Sequence, residues 1–201
     1  MMTLFVPHTA VLTRHPETYS EAVQGIEARV GWTQGRALAL TFALKGDITR
    51  LRIPPPRSPR RADRLWQHTC FEAFVSAKGD VAYHEFNFAP SGEWAAYAFY
   101  RYREGAPLVE DEIAPSITVR SARDNLEFNA IVRLDRLSMI QLHATLRLAL
   151  SAVVEEERGM LSYWALKHPA GKPDFHHPDG FALELEPPER ETLKESAIGK
   201  R

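Results

Sequence analysis

Residues 83–100 read YHEFNFAPSGEWAAYAFY and hold seven of the chain's twenty aromatic side chains, together with Glu85, Asn87 and Glu93. Successive side chains of a strand point to opposite faces, so Tyr83, Glu85 and Asn87 share one face. His84, Phe86 and Phe88 share the other. Ser91-Gly92 supplies a turn, and EWAAYAFY resumes a strand-like composition. One stretch therefore encodes a hairpin with a greasy face and a face that mixes rings with carboxylate and amide.

Working outward, the same period recurs. LWQHTCFEAFVSA (65–77) precedes a turn at Lys78-Gly79-Asp80, and its Cys70, Glu72 and Phe74 oppose Phe71, Ala73 and Val75. These segments make a three-stranded antiparallel meander. Upstream, GIEARVGWTQGRALALTFAL (25–44) places Ile26, Ala28, Val30 and Trp32 on one side. After Gln34-Gly35 it does the same with Leu38, Leu40, Phe42 and Leu44, which predicts a second hairpin. ITRLRIP (48–54) is a further short strand candidate. PPPRSPRRADR (54–64) holds four prolines and four arginines and is expected to be a surface loop. Downstream, LEFNAIVRL, LHATLRLALSAVV, MLSYWAL and GFALELEP read as strands, the last at an edge, with a helical turn expected in DRLSMIQ (135–141). Only residues 15–24 carry a weak helical pattern. The expected fold is all-β, an antiparallel β-sandwich over residues 1–186. A charged tail follows over residues 187–201.

Composition narrows the function. The 201 residues carry a formal charge of −1, which gives no electrostatic reason to expect nucleic acid or an anionic membrane as partner. No segment approaches the roughly 20 apolar residues of a membrane helix. The single cysteine, Cys70, forbids an internal disulfide and a cysteine-rich zinc site. No signal-peptide pattern precedes the strands, so a cytoplasmic location is expected.

Four segments, around Glu72, around Glu85 and Asn87, around Glu127 and Asn129, and around His143 and Arg147, each oppose a polar face to an apolar one. The apolar faces are expected to form the core and the polar faces to line one outer surface. An ordinary solvated face gives the same alternation. Here, though, the polar positions accompany Tyr83, Trp94, Tyr97 and Trp164. Rings beside short hydrogen-bonding groups suit a sugar, whose C–H face stacks while its hydroxyls are bonded. Each tryptophan has the plain alternative of filling the core.

The block LWQHTCFEAFVSAKGDVAYHEFNFAPSGEWAAYAFYRYREG, followed downstream by SYWALKHPAGKPDFHHPDGFALEL, resembles the DOMON-like proteins related to family 9 carbohydrate-binding modules. With the hairpin at 26–54 the resemblance spans roughly residues 24–186. It implies a β-sandwich without catalytic residues, binding carbohydrate or haem on one face. The ligand-binding candidates are Trp66, Glu72, Tyr83, Glu85, Asn87, Trp94, Trp164 and His168. The expected partner is a small saccharide, with no cofactor and no metal; the oligomeric state is left open.

Rival chemistries are a carbohydrate-active enzyme using Glu72 and Glu85, and a haem site using Met139 or Met160. WALKHPAGKPDFHHPDG (164–180) concentrates His168, Asp174, His176, His177 and Asp179. It reads as an ordered loop, a ligand contact or a metal site in that order. His68 and Cys70 stand two apart, which on a strand would let imidazole and thiol touch.

Overall fold

The computed structural model describes residues 7–33, 36–108, 113–137 and 143–187. The expected tail lies outside them beyond Pro187. The described residues form thirteen strands: β1 (His8–Arg14), β2 (Val23–Trp32), β3 (Leu38–Gly46), β4 (Arg60–Arg61), β5 (Cys70–Ala77), β6 (Tyr83–Phe88), β7 (Glu93–Arg101), β8 (Glu104–Pro107), β9 (Ser116–Ser121), β10 (Asn125–Val132), β11 (Leu146–Glu155), β12 (Leu161–Ala165) and β13 (Leu183–Leu185). Hydrogen bonding links eleven of them in the order β4-β7-β6-β5-β11-β12-β1-β2-β3-β10-β9, with β13 beside β11 and β8 beside β7. Every one of these pairings is antiparallel except β4 with β7.

This path is one curled sheet, and β1 is the hinge of its curl. Residues His8 to Leu12 pair with β2, while Thr13 and Arg14 pair with β12. The two halves then face each other across a common apolar interior. Phe42 of β3 stacks on Phe71 of β5 at 5.0 Å, and Phe128 of β10 meets Phe71 at 5.1 Å and Phe88 of β6 at 5.7 Å. All four rings are inaccessible to solvent. Each contributes roughly 1.5–3 kcal/mol by leaving water, before packing is counted.

The expected hairpin at 25–44 forms as β2–β3, with Ile26, Ala28, Val30, Leu38, Leu40, Phe42 and Leu44 all facing this interior; its Gln34-Gly35 turn lies outside the described residues. The meander forms as β5–β6–β7. ITRLRIP departs from expectation. Asp47 accepts from the Thr49 backbone N–H and starts a 3-10 turn over Ile48–Arg50, leaving only the bridge between Leu51 and Glu156. Such a local side-chain bond competes with strand pairing. The weak helical pattern at 15–24 gives turns, and β2 already begins at Val23. Residues 135–141 keep their helical turn only at Leu134–Arg136; Ser138 to Leu142 lie outside the described residues.

The polar faces do not form one surface. Glu127 and Asn129 of β10 belong to the other half, where Asn129 bonds Thr41 and Glu127 lies near Arg29. His143 lies outside the strands. Among the described residues, no helix is long and apolar enough to cross a membrane.

Candidate functional site

The outer face of β5–β6–β7–β11–β12 is fixed by register. Glu72 stands opposite Asn87 on one side and Ser151 on the other. Glu85 stands between Phe74 and Tyr97, and Tyr83 opposite Phe99. Val153 pairs with Tyr163. Of these positions Glu72, Glu85, Tyr97, Phe99, Val153 and Tyr163 line a cavity of about 390 Å³ on the face away from the apolar interior. That volume lies within the roughly 300–1,000 Å³ usual for small-molecule sites.

Glu72, Glu85 and Val153 form the floor; Trp66, Tyr97, Phe99 and Tyr163 form walls; Arg103, Pro173, Phe175 and His176 close the rim. Trp66 arrives on a 3-10 turn (Leu65–Gln67) entered through Arg64 at φ 62°, and its indole meets Tyr97 edge-on at 6.0 Å.

The rim is held by a polar clasp. Asp174 accepts from Tyr102 Oη at 2.6 Å, from Arg103 Nη2 at 2.7 Å and from the His176 backbone N–H at 3.1 Å. It thus ties the 166–181 loop to the β7–β8 turn, where Arg103 adopts a left-handed φ of 55°. Strain of this kind persists where surrounding contacts hold it. The Arg103 N–H donates to Tyr83 Oη at 3.1 Å, and that hydroxyl also bonds His176 Nδ1 at 2.8 Å. His176 Nε2 lies 3.6 Å from Glu85 Oε2. At the loop's other end His168 Nε2 bonds Thr13 O at 2.8 Å, and the ring packs edge-on against His15.

Four glutamates are buried among the described residues, and their surroundings differ. Glu155 is bonded by Arg52 and His68, both at 2.7 Å. Glu156 accepts from Ser20 Oγ and the backbone N–H groups of Glu21 and Ala22, with Arg50 at 3.9 Å. These two are structural.

The cavity pair is poorly served. Glu72 accepts one bond among the described residues, from Ser151 Oγ at 3.2 Å. Glu85 accepts from Asn87 Nδ2 at 2.7 Å. Burial, and then the charge of Glu85, drives the Glu72 carboxyl well above the ordinary carboxylate range. Burial raises Glu85 to about 7 against the Asn87 bond and the Arg103 charge. Burial likewise pulls His176 down to about 4. Asn87 Oδ1 is buried with no partner among the described residues. Desolvated, mutually repelling carboxylates in a cleft mark a candidate functional site.

The sequence-predicted residues separate cleanly. Trp66, Glu72 and Glu85 meet in the cavity, with Asn87 beneath it bonded to Glu85. Tyr83 backs the rim through His176 and lines an adjoining cavity of about 390 Å³. His168 anchors the loop and is not among the lining residues. Trp94 and Trp164 are placed otherwise than expected. Both belong to the apolar interior, where Trp94 pairs with Phe88 and Trp164 Nε1 donates to Ser162 Oγ. Sequence reasoning missed Phe99, Arg103, Tyr163, Pro173, Phe175 and His176. Tyr163 and Phe99 were readable from alternation once the register was known; the loop residues carry no period.

The rival pairings also resolve. His68 bonds Glu155 instead of Cys70, and the Cys70 thiol is fully buried, with burial, then Glu72, raising it well above its ordinary range. Met160 is 43% exposed, and Met139 lies outside the described residues. Among the described residues no three metal-ligating side chains converge.

No family model matches the chain. No curated protein matches it. Solved structures do. A candidate carbohydrate-binding protein from Bacteroides uniformis superposes with a TM-score of 0.67 at 15% identity, covering 90% of this chain and 87% of that one. A family 9 carbohydrate-binding module from Caldicellulosiruptor kristjanssonii in complex with cellotriose gives 0.55 at 10% identity, over 96% and 89%. A module of that family from the same organism in complex with glucose gives 0.52 at 12%, over 92% and 86%. At these identities the likeness shows a shared all-β fold.

Proposed function

We propose that this chain is a non-catalytic β-sandwich of the DOMON-like type that binds a small saccharide in the cavity over β5, β6, β7, β11 and β12. The observation that carries this reading is the convergence of Trp66, Tyr97, Tyr163 and Phe175 around Glu72 and Glu85. Rings take the C–H face of a pyranose, and carboxylate oxygens accept from its hydroxyls. Asn87, Tyr83 and His168 serve behind them, holding Glu85, His176 and the loop. The complexes of family 9 modules with cellotriose and glucose support a saccharide on this fold.

Calorimetric titration of the full chain with mono- and disaccharides tests the reading. Saturable binding that Trp66→Ala weakens at least about tenfold, through loss of a ring contact, supports it. Absence of binding to every sugar would refute it.

A second reading has one observation in its favour. Glu72 and Glu85 share one cavity, and the more strongly raised partner could stay protonated while the other ionises, as an acid–carboxylate pair requires. Turnover of aryl glycosides that disappears in Glu72→Gln would favour this enzyme over the binding module.

A further inference from the structure

The cavity floor offers acceptors and little else. Glu72 leaves one carboxylate oxygen without a bond among the described residues, and the Oε2 of Glu85 has only the long His176 contact. Asn87 turns its amide N–H toward Glu85. The guanidinium at the rim, Arg103, is committed to Asp174 and Tyr102. Each structural glutamate, by contrast, lies within 4 Å of an arginine. The walls add rings: Trp66, Tyr97, Tyr163 and Phe175 present π-faces or edges around the same space. Two carboxylates without a dedicated counter-cation, inside an aromatic box, make a place for a cation brought by the guest.

We propose that the occupant carries a protonated amine, an amino sugar in place of a neutral one, its ammonium group seated between Glu72 and Glu85. This rests on the saccharide reading and sharpens it. An ammonium has three donors and no acceptor, which matches a floor of acceptors. It relieves the repulsion between the two carboxylates, and the rings stabilise its charge.

A consequence follows for protons. The groups facing the pair are Cys70 from β5, Tyr83 from β6, Tyr97 from β7, Arg103 from the β7–β8 turn and His176 from the loop. None supplies a full positive charge to both carboxylates. The pair therefore holds protons near neutrality, and an arriving ammonium displaces protons from it. Affinity for an amine then falls as pH drops through about 7. A neutral sugar requires no ionisation and shows no such fall.

The test is calorimetry of the full chain with glucosamine, glucose, N-acetylglucosamine and choline, at about pH 6.5 in two buffers of different ionisation enthalpy. The expected result is glucosamine binding at least about tenfold tighter than glucose, with net proton release seen only for glucosamine. Glu85→Gln should reduce the release and narrow the difference between glucosamine and glucose. Equal binding of glucose and glucosamine without proton release would overturn the amine inference and leave the saccharide reading standing. Choline binding without any sugar binding would uphold the cation site and refute the saccharide. Silence from all four would overturn both. The proton count on the unmodified chain keeps the test valid should the variant fold poorly.

Discussion

Replacing Glu85 by glutamine should stabilise the protein, and only above acid pH. Glu85 is 5% exposed, and its carboxyl is raised from an ordinary 4.5 to about 7. A group with a raised folded-state pKa favours folding fully below its unfolded value and loses that advantage as pH climbs through the folded one. Stability should therefore decline between about pH 4.5 and 7 and level off above. At ~1.4 kcal/mol per pH unit, the interval corresponds to about 3 kcal/mol. In Glu85→Gln the new amide oxygen can still accept from Asn87, so the bond at 2.7 Å survives while the buried charge does not. The variant should match the parent near pH 4.5 and exceed it by about 3 kcal/mol near pH 8, or about 6–12 °C in Tm for a chain of this size. Relief of Glu72 adds to the gain in the same direction. Urea denaturation across this range measures it. Parallel stability profiles for parent and variant would refute the account, since they would mean that Glu85 is solvated or paired in the folded state.

Other substitutions separate the core from the cavity. Trp164→Ala should cost about 3–5 kcal/mol through the void it leaves, because the indole is buried against the apolar interior; a stability change below about 1 kcal/mol would place that ring elsewhere. Gly105→Ala should destabilise by about 2 kcal/mol or more, since a Cβ there runs into Ala98 O and Phe99, and should weaken saccharide binding by displacing the Phe99 wall. An unchanged Tm would contradict the tight β7–β8 approach.

Strand periodicity made most of the architecture legible. β2, β3, β5, β6, β7 and β10 follow from alternation that the interior confirms residue by residue. β1 was hidden in a short segment broken by Pro7 and His8, and β9 in a run without a strong apolar face. The site was half legible. Glu72, Glu85 and Asn87 fall on the outer face because their parity is shared within each strand and carried across by register. Parity also explains why Trp94 and Trp164 lie in the interior. Trp94 and Tyr97 are three residues apart on β7, so they take opposite faces, and Trp164 is one residue from Tyr163. A one-residue slip exchanges ligand wall for core. Of the three candidate indoles only Trp66 borders the cavity, beside the rings of Tyr97 and Tyr163. The rim was beyond reach, because Pro173, Phe175 and His176 are placed by the Asp174 clasp with residues more than seventy positions away, and no local pattern encodes it.

The central claim is that a guest rests against Trp66 and above Glu72 and Glu85. The chain's four tryptophans make this directly measurable, since their indole N–H signals are separately observable by two-dimensional NMR. Trp32, Trp94 and Trp164 are buried in the interior, and only Trp66 borders the cavity. Titration with a binding sugar should move the Trp66 indole resonance progressively and leave the other three in place. Movement of Trp164 or Trp94 with Trp66 unmoved would contradict the account and put the guest on another surface.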